Sequence, residues 1–166
     1  DMERLLDEFL SFARGDALDD PVTCDPVALV RDAVEKMSRN GENVALRRPN
    51  GEGIATLRPL ALTRALENLI GNALRYAKHA EVGVVWSKNS VSVIVEDDGP
   101  GIAPTLREQA LKPFVRLDAA RNQNDGSGVG LGLSIAHDIA RRHGGSLTLD
   151  KSDLLGGLKV VLNLPR

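Results

Sequence analysis

The chain has 166 residues, of which 42% are hydrophobic, 27% charged and only 3% aromatic. This length and composition are typical of one globular domain with at most a short appendage, and they exclude a disordered chain or a large multidomain protein. The 21 lysines and arginines against 23 aspartates and glutamates leave a net charge of -2, which disfavours nucleic acid and anionic lipid as partners.

Cys24 is the single cysteine, so it cannot form an internal disulfide, and no Cys/His cluster has the spacing of zinc ligands. No apolar run reaches the roughly 18 residues that a membrane helix needs. A reducing, cytoplasmic setting is therefore expected, and an anchor of a membrane-bound parent protein would lie outside this sequence. Because the chain begins with Asp1 and not with Met, we expect it to be a fragment.

The first predicted element, residues 1–14, spaces its apolar side chains by three and four residues, which is the seam of a helix that packs on another helix. These side chains are Met2, Leu5, Phe9 and Phe12. Gly15 ends the helix, residues 15–22 form a polar linker, and residues 23–166 form the main domain. We interpret the helix as the end of a longer helical module; the alternative is that it folds back on the main domain.

Asp25 and Pro26 predict the start of an amphipathic helix that extends to about Met37. Short strands are predicted at 44–47 and 54–57, around a Pro49-Asn50-Gly51 turn, and a long helix follows over 59–77. Its buried stripe consists of Leu62, Leu66, Leu69, Ile70 and Ala73.

Two paired strands are predicted at 82–87 and 91–96, on either side of a short polar turn. A helix over 131–143 ends at Gly144-Gly145, and closing strands cover 146–150 and 158–164. Helices and strands do not alternate regularly. The fold class is therefore α+β: a two-layer sandwich in which one mixed sheet of about five strands is covered on one face by three helices.

The long helix carries an unusual pair of amides. Asn68 and Asn72 lie four residues apart, on one face, and Arg75 and Tyr76 follow one turn later. Asparagine is unfavourable inside a helix, so two in register indicate a need for neutral oxygen ligands, such as those of a phosphate-bound Mg²⁺. The alternative is two solvated asparagines on an exposed face.

A predicted strand ends abruptly in an acidic and glycine-rich turn, Asp97-Asp98-Gly99-Pro100-Gly101. A carboxylate at this point accepts a hydrogen bond from an exocyclic amine, while Gly99 and Gly101 let the backbone approach a flat ring. The alternative is an ordinary Asp-Gly turn.

A third motif, residues 126–133, places glycine at every second position before the helix over 131–143. Backbone N–H groups and the positive end of the helix dipole make such a start an anion site. It matches neither the dinucleotide fingerprint nor the Walker loop. Together the three motifs supply metal, base and phosphate contacts for one nucleotide.

In order and spacing, these segments resemble the four boxes of sensor histidine kinases. ENLIGNALRY at 67–76 resembles the N box, DDGPGI at 97–102 the first glycine box, KPFVR at 112–116 the F box and GVGLGL at 128–133 the second glycine box. The resemblance extends from about Asp25 to Pro165 and is strongest to osmosensor-type kinases. Residues 1–14 resemble the end of the second helix of the dimerisation and phosphotransfer hairpin of these kinases.

The resemblance implies ATP and Mg²⁺ as ligands, with Asp97 on the adenine amine and Tyr76 beside the base. It implies Asn72 as the metal ligand with Asn68 nearby, and Arg75 and Arg116 on the phosphates. Residues 118–127 would form a mobile lid. The other expected nucleotide-binding residues are Gly99, Gly101, Ile102, Leu117, Gly128, Val129, Gly130, Leu131, Gly132 and Leu133. Val129 departs from the family pattern, in which a hydroxyl residue is common.

The resemblance also separates two reactions. In the related gyrase, chaperone and mismatch-repair ATPases, a glutamate four residues before the metal asparagine activates water; here Asn68 holds that place and cannot accept the proton. Glu67, one residue earlier, is rotated by about 100° on an ideal helix. Transfer of the γ-phosphoryl group to a protein histidine is therefore expected instead of hydrolysis.

None of the three histidines fits the acceptor. His79 and His143 lack the acidic neighbour, and His137, although followed by Asp138, lies on the helix after the glycine loop. His143, beside a helix C-terminus, is interpreted as a cation there. We expect the acceptor on a separate hairpin of a homodimeric kinase and an aspartate of a response regulator as the next acceptor. The alternatives are a hydrolytic ATPase of the same superfamily and a degenerate module that binds a nucleotide or a partner without catalysis.

Overall fold

The computed structural model describes Leu6, residues 19–112 and residues 132–166. The helix expected over 1–14, apart from Leu6, therefore lies outside the described residues, as do residues 15–18 of the linker, the F box from residue 113 onward, the lid and residues 128–131 of the second glycine box.

Seven strands are described: β1 Val22–Cys24, β2 Val44–Leu46, β3 Ala55–Leu57, β4 Ala80–Trp86, β5 Ser90–Asp97, β6 Ser146–Lys151 and β7 Leu158–Pro165. Four α-helices accompany them: α1 Pro26–Arg39, α2 Pro59–Tyr76, the short α3 Arg107–Ala110 and α4 Gly132–Arg142. A single 3-10 turn, Pro104–Leu106, precedes α3.

The main sheet has five strands in the order β2-β4-β5-β7-β6. The β2 and β4 strands are parallel, and the other neighbours are antiparallel. The predicted α+β sandwich with a mixed sheet of about five strands is confirmed, and so is the pairing of the two central strands. The separate pair β1-β3 was not expected: the strand at 55–57 joins Val22–Cys24 and not the main sheet.

Alternation along the strands gives the sheet two different faces. Val84, Val93 and Leu162 lie side by side in the register and are buried, and they face the helical layer. The alternate residues of these strands, including Glu81 and Glu96, point to the opposite face because successive side chains alternate. The helical layer is built by α1, α2 and α4, as the apolar spacing predicted.

The start of α1 agrees with the sequence prediction. The Asp25 carboxylate accepts hydrogen bonds from the backbone N–H groups of Val27 at 2.9 Å and Ala28 at 3.3 Å. Pro26 occupies the first helical position, where its missing N–H costs nothing. The sequence therefore defines this helix end locally.

The start of α2 is capped from distant parts of the chain. Arg58 provides no side-chain cap; instead the Asp19 carboxylate accepts from Leu60 N at 2.9 Å and Ala61 N at 3.0 Å. The N–H of Arg58 donates to Nε2 of His143 at 3.1 Å. The expectation that His143 acts as a cation was wrong, because a ring that accepts at Nε2 and donates from Nδ1 to Ile139 O is neutral.

Within the described parts of the chain, no helix combines the length and apolar character that crossing a bilayer requires.

Candidate functional site

Helix α2 forms the spine of the candidate site. All five residues of its predicted stripe are buried, whereas Asn68, Asn72, Arg75 and Tyr76 are only half-buried. Their spacing sets them along one side of α2, next to the packed face. The amide pair is therefore held at the edge of the core by a helix that cannot rotate without exposing its leucines.

The start of α4 lies directly against the amide pair. A Cβ added to Gly132 would stand 3.7 Å from the carbonyl oxygen of Asn68 and 3.8 Å from the Cβ of Asn72. Leu133, the next residue, is buried. The structure thus brings together the last glycine of the glycine-rich motif and the two asparagines, which lie about 60 residues apart in sequence.

Asp97 ends β5 on the helix side of the sheet and is 1% exposed. Its register partner on β4 is the buried Ala80. The Oδ1 atom accepts backbone hydrogen bonds from Gly99 N at 2.9 Å and Leu158 N at 3.1 Å. Burial of a carboxylate is costly unless donors compensate it, so this side chain is fixed by the backbone of two separate segments.

The acidic turn after β5 also contacts the end of α2. A Cβ at Gly99 would come within 2.9 Å of the Tyr76 carbonyl oxygen, so only glycine allows this approach. Gly101 has a φ of +72°, a conformation that also favours glycine. Ile102 is buried, and its carbonyl accepts from Arg107 Nε at 3.0 Å.

Asp98, adjacent to Asp97, serves a different purpose. It is exposed and accepts from Lys78 N at 2.9 Å and His79 N at 3.1 Å. The His79 N–H, followed by that of Lys78, holds the pKa of Asp98 below its usual value. Asp98 thus joins the turn to the connection between α2 and β4, whereas the buried Asp97 faces the helical layer.

One residue that contacts the site was missed by sequence reasoning. A Cβ at Gly157 would overlap Oδ1 and the carbonyl oxygen of Asp97, so the turn between β6 and β7 packs backbone-first against this carboxylate. The Gly156-Gly157 pair signals a turn, but nothing in the sequence connects that turn to Asp97.

Glu67 is directed away from the amide pair. Its Oε2 accepts from Lys36 Nζ of α1 at 3.0 Å, and both side chains are substantially exposed. The one carboxylate of the N box is therefore engaged on the α1 side of α2.

The histidine on α4 is an unpromising acceptor. His137 is half-buried, and burial, together with the nearby Arg141, lowers its pKa against the opposing influence of Asp138. The Asp138 carboxylate pairs with Arg142 at 2.9 Å.

Several predicted site residues lie outside the described residues: Arg116, Leu117, Gly128, Val129, Gly130, Leu131 and the lid residues 118–127. Over the described ranges, no group of three or more His, Cys, Asp or Glu side chains could hold a metal ion. Amide oxygens beside the N-terminal end of α4 are donors of a kind suited to Mg²⁺, which takes few protein ligands when phosphates supply the rest.

Comparison with known proteins agrees with this geometry. Residues 58–166 match the family model described as histidine kinase-, DNA gyrase B- and HSP90-like ATPase. The sensor protein RstB of Escherichia coli is 48% identical over 105 residues, which cover 63% of this chain and 24% of RstB.

Two solved structures extend the comparison. The ATP-binding domain of PrrB from Mycobacterium tuberculosis superimposes with a TM-score of 0.73 at 28% identity and covers 89% of this chain and 98% of that domain. The histidine kinase domain of the E. coli osmosensor EnvZ gives a TM-score of 0.63 at 33% identity, with 90% of both chains covered.

The chain spans about a quarter of the length of the curated relatives it matches. The family model covers well over half of the chain and includes α2, β5 and α4. The chain therefore belongs to the family of histidine kinase-, DNA gyrase B- and HSP90-like ATPases, and within it this is an ATP-binding catalytic domain of the sensor histidine kinase type.

Proposed function

We propose that this domain binds Mg-ATP in the site along α2 and transfers the γ-phosphoryl group to a histidine on a separate dimerisation hairpin. The observation that carries the proposal is the double contact of α2: Gly132 lies against Asn68 and Asn72, while Gly99 lies against Tyr76. The same helix thereby contacts both the proposed phosphate-binding end and the proposed base-binding end of the site.

At the base end, the buried Asp97 carboxylate accepts a hydrogen bond from the exocyclic amine of adenine. Gly99, Gly101 and Ile102 form the backbone floor, and Tyr76 stands beside the ring. A carboxylate fixed by two backbone donors is pre-organised, so the side chain loses little conformational freedom when the base binds.

At the phosphate end, the start of α4 supplies backbone N–H groups and the positive end of its dipole. The amide oxygen of Asn72 would hold Mg²⁺, with Asn68 next to it and Arg75 and Arg116 on the phosphates. When bound, Mg²⁺ neutralises charge on the phosphate oxygens. Gly128 to Leu133 would enclose the triphosphate, and residues 118–127 would close over it.

In the reaction, a neutral imidazole nitrogen of the hairpin bonds to the γ-phosphorus while the bond to the bridging oxygen breaks, and ADP leaves. The domain contributes positioning and charge stabilisation and forms no covalent bond itself. Asn68 cannot act as a base on water, and Glu67 is paired with Lys36, which supports phosphoryl transfer over hydrolysis.

The whole protein would then be a homodimeric sensor kinase whose phosphohistidine passes the phosphoryl group to an aspartate of a response regulator. Residues 1–14 would be the end of the hairpin helix and residues 15–22 the linker. The curated relatives are named sensor proteins, which supports this assignment.

Titration with a fluorescent ATP analogue, with and without Mg²⁺, tests the site. Asp97→Asn should weaken binding by about 10- to 100-fold, because a hydrogen bond to a charged group contributes roughly 1.5–3 kcal/mol. Asn72→Ala should remove the dependence on Mg²⁺. Cys24→Ser, which lies on β1, is the control and should change nothing; equal effects of Asp97→Asn and Cys24→Ser would overturn the assigned site.

Phosphoryl transfer needs a second experiment. The domain is mixed with a purified cognate hairpin and ATP labelled at the γ-phosphate, and acid-labile phosphohistidine is measured. Its formation supports the kinase. Free phosphate well above a blank without phosphohistidine would favour the hydrolytic alternative, and binding without either product would favour the degenerate module.

A further inference from the structure

We propose that Ser152 is a positioning residue for Asp97, and that through this role it sets how strongly the site prefers adenine over other purines. The proposal rests on the function proposed above, in which Asp97 receives the adenine amine. Ser152 itself directly follows β6 and acts on the base site through the turn that it organises.

The turn between β6 and β7 determines where the Asp97 carboxylate lies. Leu158 N donates to Asp97 Oδ1 at 3.1 Å, and Gly157 N donates to the Asp97 carbonyl at 3.0 Å. The missing side chain of Gly157 leaves just enough room for both bonds. A small shift of this turn therefore moves the carboxylate with it.

Ser152 holds the shape of that turn with three hydrogen bonds. Its Oγ accepts from Leu155 N at 3.0 Å, its N–H donates to the Gly157 carbonyl at 2.8 Å, and its carbonyl accepts from Gly156 N at 2.8 Å. The residue is 0% exposed, so water cannot replace a lost bond without rearrangement.

Ser152 also ties the turn to the other face of the sheet. Its Oγ donates to Glu96 Oε1 at 2.8 Å. Glu96, only 6% exposed, pairs with Arg47, which is itself held by Glu81 at 2.7 Å. These contacts keep the pKa of Glu81 low and, against the effect of burial, raise that of Arg47. A rigid ion-pair network therefore anchors the Ser152 hydroxyl.

Two consecutive residues of β5 thus hold the same turn from opposite faces of the sheet: Glu96 through the side chain of Ser152, and Asp97 through the amides of Gly157 and Leu158. Loss of the hydroxyl leaves Leu155 N without its acceptor and Glu96 without one donor. The turn then relaxes, and the carboxylate loses the fixed position that a directional hydrogen bond to the base requires.

The test compares the affinities of ATP and ITP, because hypoxanthine presents a carbonyl where adenine presents the amine. The measured quantity is the Kd for ITP divided by the Kd for ATP, which a loss of stability alone would not change. Ser152→Ala should lower this ratio by about tenfold. Ser92→Ala is the control, because Ser92 lies on β5 with Glu96 and on the same face of the sheet. This variant also loses a hydrogen bond, from Asn163 Nδ2 at 2.8 Å, and should keep the ratio.

Two further variants make the result decisive. Asp97→Asn should abolish the preference; if it does not, the proposed role of Asp97 is overturned. If Asp97→Asn abolishes the preference while Ser152→Ala keeps it, only the role of Ser152 is overturned. Should Ser152→Ala fail to fold, Glu96→Gln provides the test, since it weakens the anchor but keeps the serine; an unchanged ratio in that variant refutes the proposal.

Discussion

The carboxylate of Asp19 accepts the backbone N–H of Ala61, 42 residues further along the chain, at 3.0 Å. Its second oxygen accepts from Leu60 N at 2.9 Å, and the Arg58 side chain donates to the Asp19 carbonyl at 2.7 Å. A residue from the predicted linker thereby caps the helix that carries the amide pair.

Asp19→Ala should lower the free energy of unfolding by about 1 kcal/mol at pH 7, the usual contribution of an N-cap. Burial alone would raise the pKa of Asp19, but the Leu60 and Ala61 amides outweigh it and lower that pKa below its usual value of 3.8. The contribution is therefore complete above pH 3.8 and is lost as the pH falls through the lower folded-state pKa. Urea unfolding at pH 7 and at a pH below 3.8 checks this. Asp20→Ala is the matched control, and an equal loss of stability in both variants at pH 7 would refute the cap.

His143→Leu should destabilise the domain by about 1–2 kcal/mol, because the Arg58 N–H loses its acceptor in a partly buried place. Thermal and urea unfolding measure the effect. Arg141→Ala, an exposed residue on the last turn of α4, should change stability by less than about 0.5 kcal/mol. If the two variants were equivalent, His143 would not cap α2.

The starts of α1 and α2 show which helix caps can be predicted from the sequence. The start of α1 was predictable because Asp25 caps residues two and three positions later. The caps of α2 come from Asp19 and His143, and no local pattern reveals a partner so distant in sequence. For the same reason His143 was interpreted from its own helix alone, and wrongly.

The candidate site divides in the same way. Asn68, Asn72 and Asp97 could be selected because residue type and spacing are themselves the signal. The role of Gly157 could not, since it depends on the space beside Asp97 after the strands have paired. The β1-β3 pair was missed because three residues per strand give too little alternation to recognise.

Gly71→Ala should stabilise the domain by about 0.5–1 kcal/mol. Gly71 lies inside α2, and a Cβ there meets nothing within 4 Å, so the variant gains helix propensity without a clash. Gly145→Ala is the opposite case: its Cβ would overlap the Asn163 carbonyl oxygen, and a loss of more than about 2 kcal/mol is expected. Urea unfolding of both variants checks the two signs, and a destabilised Gly71→Ala would contradict the open space.

Cys24 should react slowly with iodoacetamide at pH 7.5. Burial, followed by the nearby Asp25, raises the pKa of its thiol above the usual 9.0, although the Leu57 amide partly opposes this. Because the thiolate is the nucleophile, the rate of alkylation should still increase with pH above pH 9. Alkylation in urea, where the thiol is exposed, should be faster at the same pH; equal rates in the folded and unfolded chains would contradict the effect of burial.

Glu67→Gln should leave both ATP affinity and the rate of phosphate release within about twofold of the unchanged chain. Its carboxylate pairs with Lys36 on α1, and such an exposed pair contributes at most about 1 kcal/mol to stability. Fluorescent-nucleotide titration and a phosphate-release assay measure the two quantities, with Glu35→Gln, an exposed glutamate of α1, as the control. A large drop in phosphate release in Glu67→Gln alone would mean that Glu67 reaches the nucleotide and activates water, and the domain would then be a hydrolytic ATPase.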